Sequence, residues 1–332
     1  MKILVIGLGS MGKRRVRNLQ ALGIRDVAGF DVRDDRREEA AGKYAIKVFE
    51  ELNEAINTFK PQALVISTPP DLHMHYAYAA YEKGLSCFIE ASVVDAEKIR
   101  ALHGKTVNTS ILMLPSCTMR YFPGPKKVKE LVRANAIGKV LNINYQSGQY
   151  LPDWHPWEPI GDYYVSMRET GAAREIVPFE LTWLNDIFGR PDALACVRAK
   201  LTDMPADIDD IYHCLLRYDG GALASLTVEV ISRPRACRDL RILGTEGEMV
   251  LSGDFNSVRY INTSMDEWME FKFDIGTVEN QYINPEEPYI AEMKDFISAV
   301  EAADPTLFPN TLIDDYEVLQ TLGALEKLSI IA

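Results

Sequence analysis

The sequence predicts two structural classes in one chain: an α/β domain with a doubly wound parallel sheet, then an α+β domain with a mostly antiparallel open sheet. Three observations predict this. The first ~120 residues alternate short apolar runs with helical stripes. A glycine-rich turn separates the first run from the first stripe. After Pro123 and Pro125 the rhythm changes to strand signals in quick succession, which places the domains at 1–120 and 121–332.

In the first part the strand candidates are Lys2–Ile6, Val27–Asp31, Ala45–Val48, Ala63–Ser67, Ser86–Glu90 and Ser110–Leu114. Between the first two, Met11–Leu22 carries Val16, Leu19 and Leu22 on one stripe, and Gly23 stands where a C-terminal cap belongs. Crossovers this long join parallel strands and put helices on both faces of the sheet. In the second part a helix (Lys126–Ala134) leads into a long strand (Lys139–Tyr150) and an aromatic, proline-rich loop (Leu151–Tyr164). A helix (Arg174–Ile187) follows. Tyr212–Tyr218 and Ala222–Ile231 flank Asp219-Gly220-Gly221, a hairpin turn. Leu226, Val228 and Val230 alternate with Thr227, Glu229 and Ile231, as in a strand with one buried face. Further strands are expected at Arg238–Leu243, Glu248–Leu251 and Ser257–Ile261, and closing helices at Tyr289–Ala302 and Thr311–Leu328.

Composition narrows the function classes. A chain of 332 residues is long enough for two full cores, and 47% hydrophobic with 25% charged residues is ordinary for a soluble globular protein. The formal net charge of −12 repels nucleic-acid backbones and anionic membranes, so neither is expected as a partner. No apolar run reaches a membrane span, and Met1–Ser10 reads as a strand and turn rather than a secretory signal. Five scattered cysteines without a C-x-x-C pair suit reduced thiols in the cytoplasm. His73 and His75 are two apart on a helix and face different ways, so no metal site is expected.

Ile3–Ile6 runs directly into Gly7-Leu8-Gly9-Ser10-Met11-Gly12 and then a helix, the G-x-G-x-x-G turn in its required strand–turn–helix context. Gly7 allows the tight turn, Gly9 the approach of a pyrophosphate, and Gly12 close packing of helix on strand. The helix N-terminus, with Ser10 and Met11, presents donors and partial positive charge to that pyrophosphate. Asp31 ends the second strand 19 residues after Gly12, where a carboxylate binds a free ribose diol. That predicts a Rossmann domain and favours NAD over NADP, although Arg33, Arg36 and Arg37 follow closely.

Several segments together resemble the glucose–fructose oxidoreductase / inositol dehydrogenase family (Gfo/Idh/MocA). They are Gly7–Gly12, Ser67–His73 (STPPDLH), Phe88–Ser92 (FIEAS), Met119–Pro123 (MRYFP), Ile137–Val140 (IGKV), Leu243–Glu248 (LGTEGE) and Tyr289–Phe296 (YIAEMKDF). The resemblance implies hydride transfer between a nicotinamide and a sugar, polyol or nucleotide sugar, and a homodimer or homotetramer. It implies that Ser67, Thr68 and Pro69 close over the cofactor, that His73 starts the next helix, and that Glu90 belongs to the cofactor site.

The chain also departs from that pattern. The family's E-K-P lysine falls on Ala91 and its proline on Ser92. Aligned on Gly171 and Glu180-Leu181, the family's Asp and His fall on Ile176 and Phe179. Hydride transfer from an alcohol still needs a base for the hydroxyl proton. The replacements expected are Tyr163, His155 and Glu175, with Tyr164 and Glu180 nearby in sequence. Arg168 and Arg174 are expected either to lower a tyrosine pKa or to clamp a substrate anion. Arg120 and Trp154 complete the expected substrate contacts. Three functions are open at this stage: an NAD-dependent oxidoreductase with a non-standard proton relay, a nicotinamide-binding sensor or assembly protein without catalysis, and a lyase or hydrolase that oxidises a sugar only transiently.

Overall fold

The structure, a computed structural model, describes residues 1–274 and 276–331. Contacts divide the chain into two units: Met1–Thr118 with Glu286–Glu317, and Met119–Pro285 with the chain from Val318 on.

The first unit is a six-stranded parallel sheet in the order β3-β2-β1-β4-β5-β6. Its strands are β1 (Ile3–Ile6), β2 (Val27–Phe30), β3 (Lys47–Phe49), β4 (Ala63–Ile66), β5 (Ser86–Ile89) and β6 (Met113–Pro115). Helices α1 (Ser10–Ala21), α2 (Asp34–Tyr44), α3 (Leu52–Phe59), α4 (His73–Glu82) and α5 (Ala96–Thr106) join them. This order reverses direction between β1 and β4, and ligands of such sheets bind where it reverses. Every residue of β1, β2 and β4 is buried, because helices cover both faces.

Two elements differ from the sequence expectation here. The third strand starts at Lys47 instead of Ala45, because Ala45 takes a left-handed conformation (φ 53°) that ends α2. The last strand is only Met113–Pro115, and the polar Ser110 lies outside it.

The sequence alone assigns everything after residue 120 to one domain, whereas Glu286–Glu317 packs with the first unit. The reason is the apolar stripe of α8 (Glu287–Ala302), which buries Tyr289, Met293, Phe296 and Ile297. Phe296 meets Phe88 of β5 edge to face, with ring centroids 5.7 Å apart.

The second unit is a nine-stranded sheet in the order β14-β13-β12-β11-β7-β10-β9-β8-β15. Its strands are β7 (Val140–Gly148), β8 (Pro191–Ala199), β9 (Ile211–Tyr218), β10 (Leu223–Glu229), β11 (Cys237–Gly244), β12 (Gly247–Leu251), β13 (Ser257–Asn262), β14 (Met269–Lys272) and β15 (Ser329–Ile331). All neighbours are antiparallel except β7 with β10 and β8 with β15. Helices α6 (Pro123–Arg133) and α7 (Ala172–Phe188) cover one face, and α9 (Leu312–Lys327) contributes its last turns. Strands β8, β14 and β15 are absent from the sequence reading. Their apolar alternation is weak: β14 is mostly exposed, and β15 is three residues directly after a helix.

Glu180, fully buried on α7, organises the covered face. Its carboxylate accepts from Tyr145 Oη (2.7 Å), Ser147 Oγ (2.8 Å), Trp183 Nε1 (2.8 Å) and Arg238 Nε (2.9 Å). Four donors, one of them the buried Arg238 guanidinium, compensate the desolvation of one carboxylate. Glu180→Ala is therefore expected to destabilise the protein by about 3–5 kcal/mol, because it removes the carboxylate that the buried Arg238 guanidinium pairs with. Urea unfolding followed by tryptophan fluorescence measures it; a loss under about 1 kcal/mol would contradict the assignment.

Candidate functional site

The groups singled out by sequence fall into two sets, one in each unit. In the first unit, the turn after β1 is built by steric necessity. Gly7 has φ +87°, and a Cβ there would lie 2.6 Å from the Ser67 carbonyl oxygen. A Cβ on Gly12 would lie 1.8 Å from the Gly7 carbonyl oxygen. At Gly9, by contrast, a Cβ would meet only the flexible Arg36 side chain, at 3.3 Å. Backbone packing therefore forces Gly7 and Gly12, whereas Gly9 borders space that a pyrophosphate can use. Gly9, Ser10 and Met11 are partly exposed at the start of α1, as anion binding at a helix N-terminus requires.

Asp31 follows β2 and is buried, with Oδ2 accepting from Leu8 N (2.7 Å) and Oδ1 from Arg33 N (2.8 Å). It ties its strand to the glycine turn and keeps lone pairs for further donors. Two of the nearby arginines are held by acids: Arg33 pairs with Asp35, and Arg37 with Asp34. Arg36 reaches back to within 4.0 Å of Asp31 Oδ2.

His73 does not stand free. It is buried, and its Nε2 lies 2.9 Å from the Thr68 carbonyl oxygen. A carbonyl only accepts, so Nε2 carries the proton. Burial pushes the His73 pKa down, so the ring is neutral and works as a tether for the Ser67–Pro70 segment. On that segment the Thr68 hydroxyl is buried and unpartnered, and so is the Ser92 hydroxyl after β5. Orphaned buried hydroxyls are costly unless a ligand meets them. With the open side of Gly9 and the placement of Asp31, they fit a dinucleotide.

Glu90 has a partner that the sequence did not reveal. Arg15 of α1, fully buried, donates to it through Nε (2.6 Å) and Nη2 (2.9 Å), and Ser67 Oγ lies 3.2 Å from the same carboxylate. Arg15 is also 3.0 Å from Glu292 of α8. Glu292 in turn accepts from Ser116 Oγ, Cys117 N and Thr118 Oγ1. Nothing in the pattern Lys13-Arg14-Arg15 marks both arginines of a basic run as buried residues, or Arg15 as the partner of Glu90.

In the second unit the loop after β7 folds into short 3₁₀ turns that stack its rings. His155 lies between Trp157 (centroids 4.9 Å, 22° between planes) and Tyr163 (4.5 Å, 24°). Its Nδ1 is 3.1 Å from Glu158 Oε1. The buried Nε1 of Trp154 has no partner. A turn at Gly171 then launches α7. Gly171 is obligatory, since a Cβ would lie 2.1 Å from the Val165 carbonyl oxygen.

Glu175 sits in the first turn of α7. Its Oε1 accepts from Tyr164 Oη at 2.8 Å, and its buried Oε2 has no partner. Burial raises its pKa from the usual 4.5 to about 8, against the pull of the Tyr164 hydrogen bond. A carboxyl that is neutral at pH 7 and half-satisfied is a ready proton carrier.

The surroundings of Tyr163 weigh against the role expected of it. Burial pushes its phenol up, and Glu158 and Glu175 push it further the same way. That is the wrong direction for a base near neutrality. The arginines expected to lower it are engaged elsewhere. Arg168 pairs with Asp207 (2.6 Å) and Asp209 (2.8 Å), and Arg174 with Glu326 (2.7 Å). Arg120 donates to the Thr182 carbonyl at 3.1 Å and lies 3.8 Å from Asp186. Of the four expected substrate contacts, the three arginines lie beside carboxylates, and Trp154 keeps a buried N–H without a partner. Ile176 is buried and Phe179 is partly buried.

Comparison with known proteins places these sets in context. A family model described as "Oxidoreductase family, NAD-binding Rossmann fold" matches residues 1–103, and one described as "GFO/IDH/MocA C-terminal domain" matches residues 126–250. An inositol 2-dehydrogenase of Streptomyces avermitilis is 27% identical over 237 residues, 69% of this chain and 66% of that protein. The match thus spans just under two thirds of that relative. Two solved structures share the fold over almost the full length. An oxidoreductase from Agrobacterium radiobacter in complex with NAD+, L-tartaric acid and magnesium has a TM-score of 0.85 at 13% identity, covering 98% of this chain and 95% of that one. Levoglucosan dehydrogenase in complex with NADH and levoglucosan has a TM-score of 0.83 at 19% identity, covering 98% and 96%.

The raised pKa of Glu175 has a consequence for stability. Between its ordinary value of 4.5 and about 8, the folded chain holds a proton that the unfolded chain has lost. The resulting stabilisation is complete below the lower value and fades as pH rises through the higher one. Chemical-denaturation midpoints between about pH 5 and 9 should therefore fall with rising pH, and Glu175→Gln should flatten that slope. An unchanged slope in the variant would show that Glu175 does not hold the proton.

Proposed function

This chain belongs to the Gfo/Idh/MocA oxidoreductase family, with its NAD-binding Rossmann fold, and on that footing we propose that it moves a hydride between NAD and a carbinol carbon of a sugar or polyol. When bound, NAD supplies the hydride acceptor or donor. The Gly7–Gly12 turn, Asp31, the Ser67-Thr68-Pro69 segment and the Ser92 hydroxyl are the groups that hold it. Asp31 accepts from a free ribose diol and disfavours a 2′-phosphate.

Glu175 is the observation that carries the chemistry. As hydride leaves an alcohol carbon, the hydroxyl proton must go to a base; in the reverse direction an acid must return it. A carboxyl with a pKa of about 8 supplies both forms close to neutrality. The Tyr164 hydroxyl fixes Oε1 and leaves Oε2 for the proton. Ala91, Ile176 and Phe179 replace the family's lysine, aspartate and histidine, so the relay runs through Glu175. The non-catalytic reading loses ground for the same reason: a core with no chemistry to do gains nothing from an unsatisfied carboxyl oxygen.

The substrate class draws on the relatives, which are named for inositol and levoglucosan. The rings of Trp154, His155, Trp157 and Tyr163 suit the apolar face of a sugar ring. NAD-loaded protein is expected to form reduced nicotinamide with members of a sugar and polyol panel, followed by absorbance. The oxidation rate should climb with pH through about 8 as Glu175 ionises. Glu175→Gln should lower the rate by roughly 10²–10⁴, while NADH fluorescence titration confirms an intact cofactor site. Silence across the panel with proven NAD binding would refute the proposal.

We also read the open face of the nine-stranded sheet as a homo-oligomer contact. It exposes Val197, Leu215 and Leu223 on neighbouring strands, the latter two about half accessible. Sedimentation velocity should show a dimer or tetramer, and Leu215→Glu should dissociate it; a monomeric parent protein would end this reading.

A further inference from the structure

The arginines that the sequence marks as anion clamps are all neutralised by carboxylates, whereas Arg233, which it does not mark, is among the described arginines that have no carboxylate partner. Arg233 follows β10 and is exposed. Its guanidinium carbon lies 3.7 Å from the centroid of the Tyr150 ring. Among the described residues no carboxylate pairs with it, nor with Arg235 two positions on, in a chain whose formal charge is −12.

The surroundings hold this arginine over Tyr150 and engage the carboxylate that lies next to it in sequence. Glu229, the nearest carboxylate in sequence, is buried and turned inward. It accepts from Ile231 N (2.8 Å), Ser232 N (2.9 Å) and the Ser232 hydroxyl. Gly148 makes that fold-back possible, since a Cβ there would lie 1.9 Å from Glu229 Oε1. Beyond the ends of β7 and β10 the two chains stay paired. Gln149 N donates to the Glu229 carbonyl (3.1 Å), Leu151 N to the Val230 carbonyl (3.1 Å) and Ser232 N to the Gln149 carbonyl (3.0 Å). This pairing brings Tyr150 opposite Ile231, with Arg233 stacked on its ring. From the same end of β7, Leu151 leads into the loop of Trp154, His155 and Trp157.

A guanidinium held over an aromatic ring by its carbon can still present N–H groups to a planar or tetrahedral oxyanion. We propose that Arg233, stacked on Tyr150 and supported by Arg235, is an anion clamp, and that the substrate is a sugar or polyol bearing a carboxylate or a phosphate. This rests on the sugar–polyol reading above and narrows it to acidic substrates. Arg233 acts in specificity and takes no part in proton transfer.

Calorimetric titration of the NAD-loaded protein tests this with D-glucose, D-glucuronate and D-glucose 6-phosphate. At least one anionic probe is expected to bind roughly ten- to hundredfold more tightly than glucose, the span of one charge-assisted hydrogen-bond pair. Glucuronate or the phosphate, whichever gains, identifies the anion. The advantage should shrink with added salt, vanish in Arg233→Met, and return in part in Arg233→Lys, with thermal melting confirming that each variant folds. Equal binding of all three probes, no binding by either anion, or an anionic preference that survives Arg233→Met would overturn the clamp. These outcomes are separable from failure of the function itself: turnover of neutral polyols without anionic preference defeats only the clamp, and anion binding without hydride transfer defeats only the oxidoreductase reading.

Discussion

The buried guanidinium of Arg15 is the constraint on which the nucleotide-binding unit turns. One side chain joins the helix after the glycine turn, the end of β5 through Glu90, and the returning α8 through Glu292. Phe88 and Tyr289 lie against the guanidinium, 4.5 and 5.3 Å from its carbon to their ring centroids. A charge taken this far out of water is tolerable only with opposite charges and hydrogen bonds around it. Those partners come from residues 90 and 292, far apart in the chain, so forming the network brings together the sheet and a segment that the chain reaches last. Through Ser67 and Glu90 the same network borders the segment that His73 tethers from the other side.

The second unit solves the same problem with the opposite charge at its centre. Glu180 gathers four donors from β7, β11 and its own helix, so α7 is fixed in position on the sheet. One and a half turns earlier on that helix, Glu175 is partly buried, with its Oε2 out of contact with solvent, and receives one donor in place of four. The contrast separates structure from chemistry. A carboxylate met by four donors is fixed in place, whereas one with a single hydrogen bond, whose pKa burial raises to about 8, holds its proton near neutrality and can exchange it. The surrounding arginines, consumed by Asp207, Asp209 and Glu326, do not disturb that balance.

The sequence by itself determined the strand–turn–helix start, the parallel sense of the first sheet and the change to mostly antiparallel strands. These follow from local rules: glycine where a Cβ cannot fit, apolar runs where both faces are covered, Asp-Gly-Gly where a hairpin must turn. It also brought Glu175 into consideration, on the helix where the family's catalytic pair would lie. Tertiary structure decided the rest. Only packing returned residues 286–317 to the first unit, since an amphipathic stripe does not say which surface it will cover. Only packing separated Glu175 from Glu180, Arg15 from the basic residues beside it, and Arg233 from the arginines that acids neutralise. Charge, hydrogen bonding and desolvation depend on neighbours distant in the chain, and local sequence carries no record of those distances.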